Sequence, residues 1–363
     1  MTTNTIAIQK EQPWSAGTSN GLSLAYWRGA QYALLLLGMA LLATLLLRPE
    51  LGLNLMWNGL IPLAPALVVI VPGVWRNICP MATLSLLPQR LGFSLRRKLP
   101  RRGAAVLSII GLAGLFVIVP LRHLALDTDA PLTALMIVLS ALVAVGMGMM
   151  FELRSGWCNS LCPIHPVEKL YGQAPALTVT NARCDECRKC SQPCPDSIRA
   201  MNPSMTGSSF LEKTAGHFIV GALVGFIWGW YRVPDYHTAI ITGDIVGAFA
   251  WPYGGALCSL LLYAAAHRWV YRSEESRPLL VKLFATAAVC MYYWYRIPAL
   301  TGFGPTPDTG MLLDLSGDLP LLPVFSRLLT TSFFVWFLLL RWETGNSWTK
   351  RPVRKLTLVN AND

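Results

Sequence analysis

The sequence predicts an all-α integral membrane protein with about eight transmembrane helices and one small, cysteine-rich insert on its cytoplasmic side. Three observations lead there. First, the 363 residues are 53% hydrophobic and only 13% charged, where soluble domains carry about 25% charged residues, and mean hydropathy is +0.45. Second, the apolar residues gather into runs of bilayer length. Third, six of the nine cysteines fall between Cys158 and Cys194. Together these exclude a soluble globule, a disordered chain, a nucleic-acid-binding protein and a disulfide scaffold.

A bilayer core takes about 20 apolar residues per helix. Runs of that kind lie near 30–47, 56–74, 104–121, 132–151, 215–231, 239–266, 278–295 and 321–340. The first is too long, and its polar leader too extended, for a cleaved signal peptide. Basic residues orient the spans, because Lys and Arg collect on cytoplasmic loops. Of the 30 Lys and Arg, 25 fall on one face, including Arg90, Arg96, Arg97, Lys98, Arg101 and Arg102 in a segment without acids. The opposite loops hold Asp127, Asp129, Asp235, Asp308, Asp314 and Asp318. Both termini and the cysteine-rich insert are therefore expected in the cytoplasm, with the chain multi-pass in a bacterial inner membrane. Three regions follow: four spans with a Cys79 loop in 1–151, the insert in 152–210, and four spans with a cytoplasmic tail in 211–363. The basic segment 90–102 suits either anionic lipid headgroups or an acidic redox partner.

Within the insert, residues 184–195 read CDECRKCSQPCP. Cys184, Cys187, Cys190 and Cys194 thus form C-x2-C-x2-C-x3-C-P, the bacterial ferredoxin spacing for a [4Fe–4S] cluster. Structural zinc sites usually place cysteines as two separated pairs, and disulfides do not suit a reducing compartment. Upstream, GWCNSLCP follows the fourth span and GVWRNICP follows the second. Aligned on Gly73/Gly156 and Pro80/Pro163, they are one motif used twice, with Trp75 standing where the later copy has Cys158. The repeat makes Cys79, Cys158 and Cys162 candidate ligands for a second cluster, against simple packing for Cys79.

These motifs resemble those of the NapH/NosR/CcoG-type membrane polyferredoxins over roughly residues 30–205. The resemblance implies helix pairs carrying cytoplasmic [4Fe–4S] clusters. It also implies passage of electrons between the membrane and redox enzymes, or service in metalloenzyme maturation. Trp75 departs from the pattern, and the last four spans have no counterpart in the short members. Seven cytoplasmic cysteines (Cys79, Cys158, Cys162, Cys184, Cys187, Cys190, Cys194) fall one short of two complete sets of four thiolates. His165 is the nearest candidate for the missing position, with an interfacial histidine as the alternative.

The expected function is a single-electron relay, an electron-transfer component of an oxidoreductase system. Its expected partners are the lipid bilayer, a cytoplasmic redox protein (ferredoxin, flavoprotein or oxidoreductase), and a quinone or another membrane subunit. The alternative is a maturation or regulatory factor that uses its clusters as a reductase. Other features are less specific. His217 with His267, and His123 with His237, lie at matching depths where a bis-histidine haem is conceivable. Asp244, followed by the helix-interrupting sequence Trp251-Pro252-Tyr253-Gly254-Gly255, suits a proton or quinone site. Trp and Tyr near 228–236 and 291–295 read as interfacial belts, and Cys258 and Cys290 as packing residues.

Overall fold

A computed structural model describes residues 21–152, 156–172, 174–184, 202, 204, 209–234, 242–304, 310–341 and 349–350. Among these, seven helices are long and apolar enough to cross a membrane. They are α1 (Gly21–Leu47), α2 (Pro49–Ile70), α5 (Arg101–Leu126), α6 (Ala130–Met150), α8 (Phe210–Trp230), α9 (Thr242–Trp269) and α11 (Leu322–Leu340). Three short helices connect them: α3 (Pro72–Ile78), α4 (Pro80–Arg90) and α7 (His165–Tyr171). An eighth long helix, α10 (Arg277–Leu300), spans 24 residues but is less apolar than the rest. Two of its polar side chains find partners inside the bundle, where Tyr293 Oη donates to Pro62 O (2.8 Å) and Arg296 Nη2 to Trp57 O (2.7 Å).

The outside of the bundle is apolar. Leu36, Leu37, Leu142, Leu261, Leu262 and Leu328 are all exposed, an arrangement suited to hydrocarbon and costly in water. The main core lies where α8 meets α9, α10 and α5. Helices α8 and α9 approach closely because Gly221, Gly225 and Gly229 recur every fourth residue on one face. A Cβ on Gly225 would lie 1.9 Å from the Gly255 carbonyl oxygen, so no side chain fits there.

Two expectations are corrected here. The interruption expected at 251–255 does not occur, since α9 continues unbroken through Pro252. Packing against α8 holds the helix together, and membrane helices tolerate proline when neighbours restrain the local backbone. Asp244 sits in the first turn of α9, where the helix dipole favours an acid. The aromatic residues near 230 and 292 turn inward in part, while Trp294 stays exposed on the bundle surface. Trp230 and Tyr293 are buried, and Tyr231 stacks on Tyr295 with ring centroids 5.0 Å apart. Buried Arg122 lies over the Trp230 ring, its Cζ 4.9 Å from the centroid, a cation–π contact inside the bundle. Of the presumed packing cysteines, Cys290 is half-buried and Cys258 lies exposed on the bundle surface.

The described parts of the 152–210 region comprise a single turn at Trp157–Asn159, α7 and β1 (Val179–Thr180). Strand β1 pairs in parallel with β2 (Thr349–Lys350), so the tail and the insert share one end of the bundle. The basic segment lies alongside the end of α6, with Leu95 N donating to Met149 O and Glu152 N to Arg97 O. Arg96, Arg97, Lys98, Arg101 and Arg102 are all exposed.

Candidate functional site

The two copies of the repeated motif face one another. In the first, α3 ends at Ile78, Cys79 takes an extended conformation (φ −52°, ψ 121°), and Pro80 opens α4. In the second, the turn at Trp157–Asn159 leads to Cys162 and Pro163, and α7 begins two residues later. Each cysteine amide is held by the preceding turn: Cys79 N donates to Trp75 O and Cys162 N to Trp157 O, both at 2.9 Å. Proline after each cysteine fixes φ and stops the preceding helix from continuing. The copies also exchange neighbours. Helix α4, which follows the first, packs on α6, with Gly148 against the Ser85 carbonyl. Helix α7, which follows the second, packs on α2. Arg76 and Asn159 occupy equivalent positions in the repeat and bond to each other through Nη2 and Oδ1.

This exchange gathers Cys79, Cys158 and Cys162 into one cluster with Ala82, Ala144 and Trp157. All three cysteines are free thiols, and Cys158 is buried. Burial pushes the Cys79 thiol up to about 11 and raises Cys162 as well. Left to themselves, those two thiols stay protonated at neutral pH; a bound cation would deprotonate them.

One cation already faces them. Arg183 is 2% exposed, and its Nη1 lies 3.6 Å from Cys158 Sγ. Its Nη2 donates to Arg76 O, while Nε has no hydrogen-bond partner among the described residues. No carboxylate pairs with it there. Asn77 delivers Arg183 to this position by acting as a strand partner for residues 180–182. Its Nδ2 donates to Thr180 O (2.8 Å), and its Oδ1 accepts from Ala182 N (3.2 Å). Gln31 on α1 braces Asn77 from behind, with Nε2 donating to Asn77 O.

No family model, curated protein or solved structure matches the chain. The site therefore rests on its own chemistry.

A second buried charge network adjoins the thiols. Glu168 on α7 pairs with Arg76 at 2.5 Å and accepts from Trp75 Nε1 at 3.0 Å. Burial alone would raise the Glu168 carboxyl, but Arg76, His165 and Arg183 hold it at about 2. Trp75, which occupies the position of Cys158 in the other copy, thus ties the two copies together. His165 is turned toward Glu168, with Nδ1 3.6 Å from Oε2, and burial lowers it to about 4.

Cys184 is half-buried and directly follows Arg183. Cys187, Cys190 and Cys194 lie outside the described residues. Among the described residues, no group of three His, Cys, Asp or Glu side chains is spaced to hold a metal ion. The donor chemistry nevertheless fits a thiolate-bound cluster, because free thiols from two loops converge beside a buried cation that makes no ion pair among the described residues. The rings of His217 and His267 meet edge-on with centroids 5.0 Å apart, leaving no room for a haem plane between them. His123 stacks on Trp230, and its expected partner His237 lies outside the described residues.

Sequence reasoning missed Arg76, Asn77, Glu168 and Arg183. One signal was present: Glu168 is the first acid after Glu152, three residues beyond His165. The register of Asn77 against 180–182 had no signal, because it depends on how two distant segments meet.

Proposed function

We propose that the protein is a membrane-bound electron relay of the polyferredoxin kind. In this reading it carries [4Fe–4S] clusters at one end of the helical bundle and exchanges single electrons between a cytoplasmic redox protein and a partner in the membrane. The observation that carries the reading is buried Arg183, set against Cys158 where Cys79 and Cys162 also converge. A buried guanidinium that makes no ion pair among the described residues is costly, even though its charge also acts on Glu168, and a thiolate-ligated cluster is anionic. Each offsets the other.

Cys184, Cys187 and Cys190 would hold one cluster, and Cys79, Cys158 and Cys162, joined by Cys194 reaching across, the other. A bound cluster supplies a one-electron couple of adjustable potential. The chain's own residues do the remaining work. Cys79-Pro80 and Cys162-Pro163 hold two thiols on rigid turns, and Asn77 fixes the approach of the Cys184 segment. Trp157 and Met147 exclude water from the thiols. The exposed basic segment 96–102 offers a docking surface for an acidic redox partner. The location proposed for this work is the cytoplasmic face of a bacterial inner membrane.

Iron and EPR measurements on purified protein test the reading. Two clusters correspond to about eight irons per chain, and Cys79→Ser is expected to remove the signal of one cluster while sparing the other. Unchanged iron and unchanged EPR signals in Cys79→Ser would leave that residue to packing. Iron-free protein purified under anaerobic conditions would sink the relay itself.

A further inference from the structure

Arg122 and Arg296 are both buried, toward the C-terminal ends of α5 and α10. Asp127 holds the Arg122 guanidinium through Nε and Nη2 at 2.9 and 3.1 Å. Arg296 is 3% exposed and makes no ion pair among the described residues. Its partners there are uncharged oxygens: Nη2 donates to Trp57 O and to Asn58 Oδ1, both at 2.7 Å. A π-helical turn at Asn54–Leu60 makes the first of these available. Ile61 N donates to Met56 O, and Pro62 has no N–H to give, so Trp57 O is left for the guanidinium. Arg296 Nε has no hydrogen-bond partner among the described residues.

Two tyrosines bring further donors to the same place. Tyr292 stands one helical turn before Arg296, on the same face of α10. Tyr231, at the end of α8, lies with its ring centroid 6.3 Å from that of Tyr292. The hydroxyls of both are buried and have no hydrogen-bond partner among the described residues. The charges of Arg296 and Arg122 act on both. A polar group buried without a hydrogen bond is costly, and a buried charge without a counter-charge costs more. Three such donors beside an unpaired cation match an acceptor that carries one negative charge. The surroundings select its shape. Tyr292 borders an internal cavity of about 320 Å³ lined chiefly by apolar side chains. A polyatomic anion would press its spare oxygens against those walls, whereas a halide has none to leave over.

We infer that this site binds one small monovalent anion of the halide class, which accepts from Arg296 Nε and from the hydroxyls of Tyr231 and Tyr292. Bound there, the anion neutralises Arg296 and ties α8 to α10 and, through Arg296, to the π-helical turn of α2. The site is formed by the chain's own buried donors and does not depend on the relay proposed above.

Thermal melts of the purified protein in detergent test the site, with chloride, bromide, formate or bulky gluconate as the salt anion at constant ionic strength. A saturable rise in melting temperature with chloride or bromide over gluconate is expected, as for a ligand that binds only the folded state. Tyr231→Phe and Tyr292→Phe are each expected to raise the half-saturating chloride concentration about tenfold, the loss of one hydrogen bond to a charged group. The two variants also carry a test of sign. In gluconate each deletes a buried hydroxyl that has no partner, and should melt no lower than the wild type; in chloride each should melt lower. Equal wild-type melting in chloride and gluconate, or a rise that does not saturate, overturns anion binding. Equal losses in both salts, or an undiminished chloride effect in both variants, overturns the assigned donors. Formate matching chloride overturns the halide class. Anomalous diffraction from wild-type crystals grown in bromide reads the site directly. A peak beside Arg296 Nε is expected, and its absence overturns the site even where the variants fail to fold.

Discussion

Glu168 and Arg183 solve opposite electrostatic problems a few residues from the same thiols. Glu168 neutralises Arg76 inside the fold, so its removal strands a buried cation. Glu168→Gln is expected to destabilise the protein by about 3–5 kcal/mol, the usual cost of breaking a buried pair, measured by denaturant unfolding in detergent. The pair is also acid-sensitive. Because the folded carboxyl is held at about 2, below its ordinary value near 4.3, its contribution is complete above roughly pH 5. It declines as the pH falls toward 2, and Glu168→Gln should lose that dependence. Arg183 makes no such ion pair among the described residues, and beyond its pull on Glu168 its charge is available to an anionic centre. Under the relay reading, Arg183→Gln is expected to retain iron but lower a cluster's midpoint potential, because the cation favours the more negative, reduced form. An EPR-monitored redox titration reads the shift, and an unchanged potential would separate Arg183 from the cluster.

Helix pairs differ in what sets their spacing. Helices α8 and α9 touch backbone to backbone, with Gly225 and Gly229 against the carbonyls of Gly255 and Trp251. Gly225→Val is expected to force the pair apart and lower the melting temperature, at a cost of at least 1–3 kcal/mol for overpacking. The same change at Gly38 on α1, where a Cβ meets nothing within 4 Å, should be nearly silent; equal losses at both positions would refute the close approach. The short helices around the thiols depend on crossing rather than contact area. Helix α4 leaves the first motif to pack on α6, and α7 leaves the second to pack on α2. Two loops about 80 residues apart are thereby locked into one site.

For the whole chain, the asymmetry of charge makes a topological prediction. Reporter fusions after Arg102, Arg199 and Arg354 should all report cytoplasm, and fusions near Asp127 and Asp314 the other side. A cytoplasmic reading at Asp127 would invert the assignment and place the thiols in an oxidising compartment. The pairing of β1 with β2 adds an internal requirement: the insert and the tail must report the same side.

Composition and apolar run length are local properties, and they were enough to place the long helices, with ends displaced by a few residues. The motif repeat was legible for the same reason, since Gly73/Gly156 and Pro80/Pro163 are visible without a fold. The apolar run expected at 278–295 falls on α10, whose arginine and tyrosines dilute its hydropathy below that of the seven candidate spans. The helix break at Pro252 was misread because local proline chemistry ignores a neighbouring helix that restrains the backbone. The aromatic belt was misread at Trp230 and Tyr293 because the sequence does not say which face of a helix meets lipid and which meets the bundle interior. The convergence of Cys79, Cys158 and Cys162 as neighbours and the placement of Arg183 against Cys158 were decided by tertiary structure alone. Each depends on segments far apart in the chain, and burial assigns a value to a charge or a hydroxyl only after its surroundings exist.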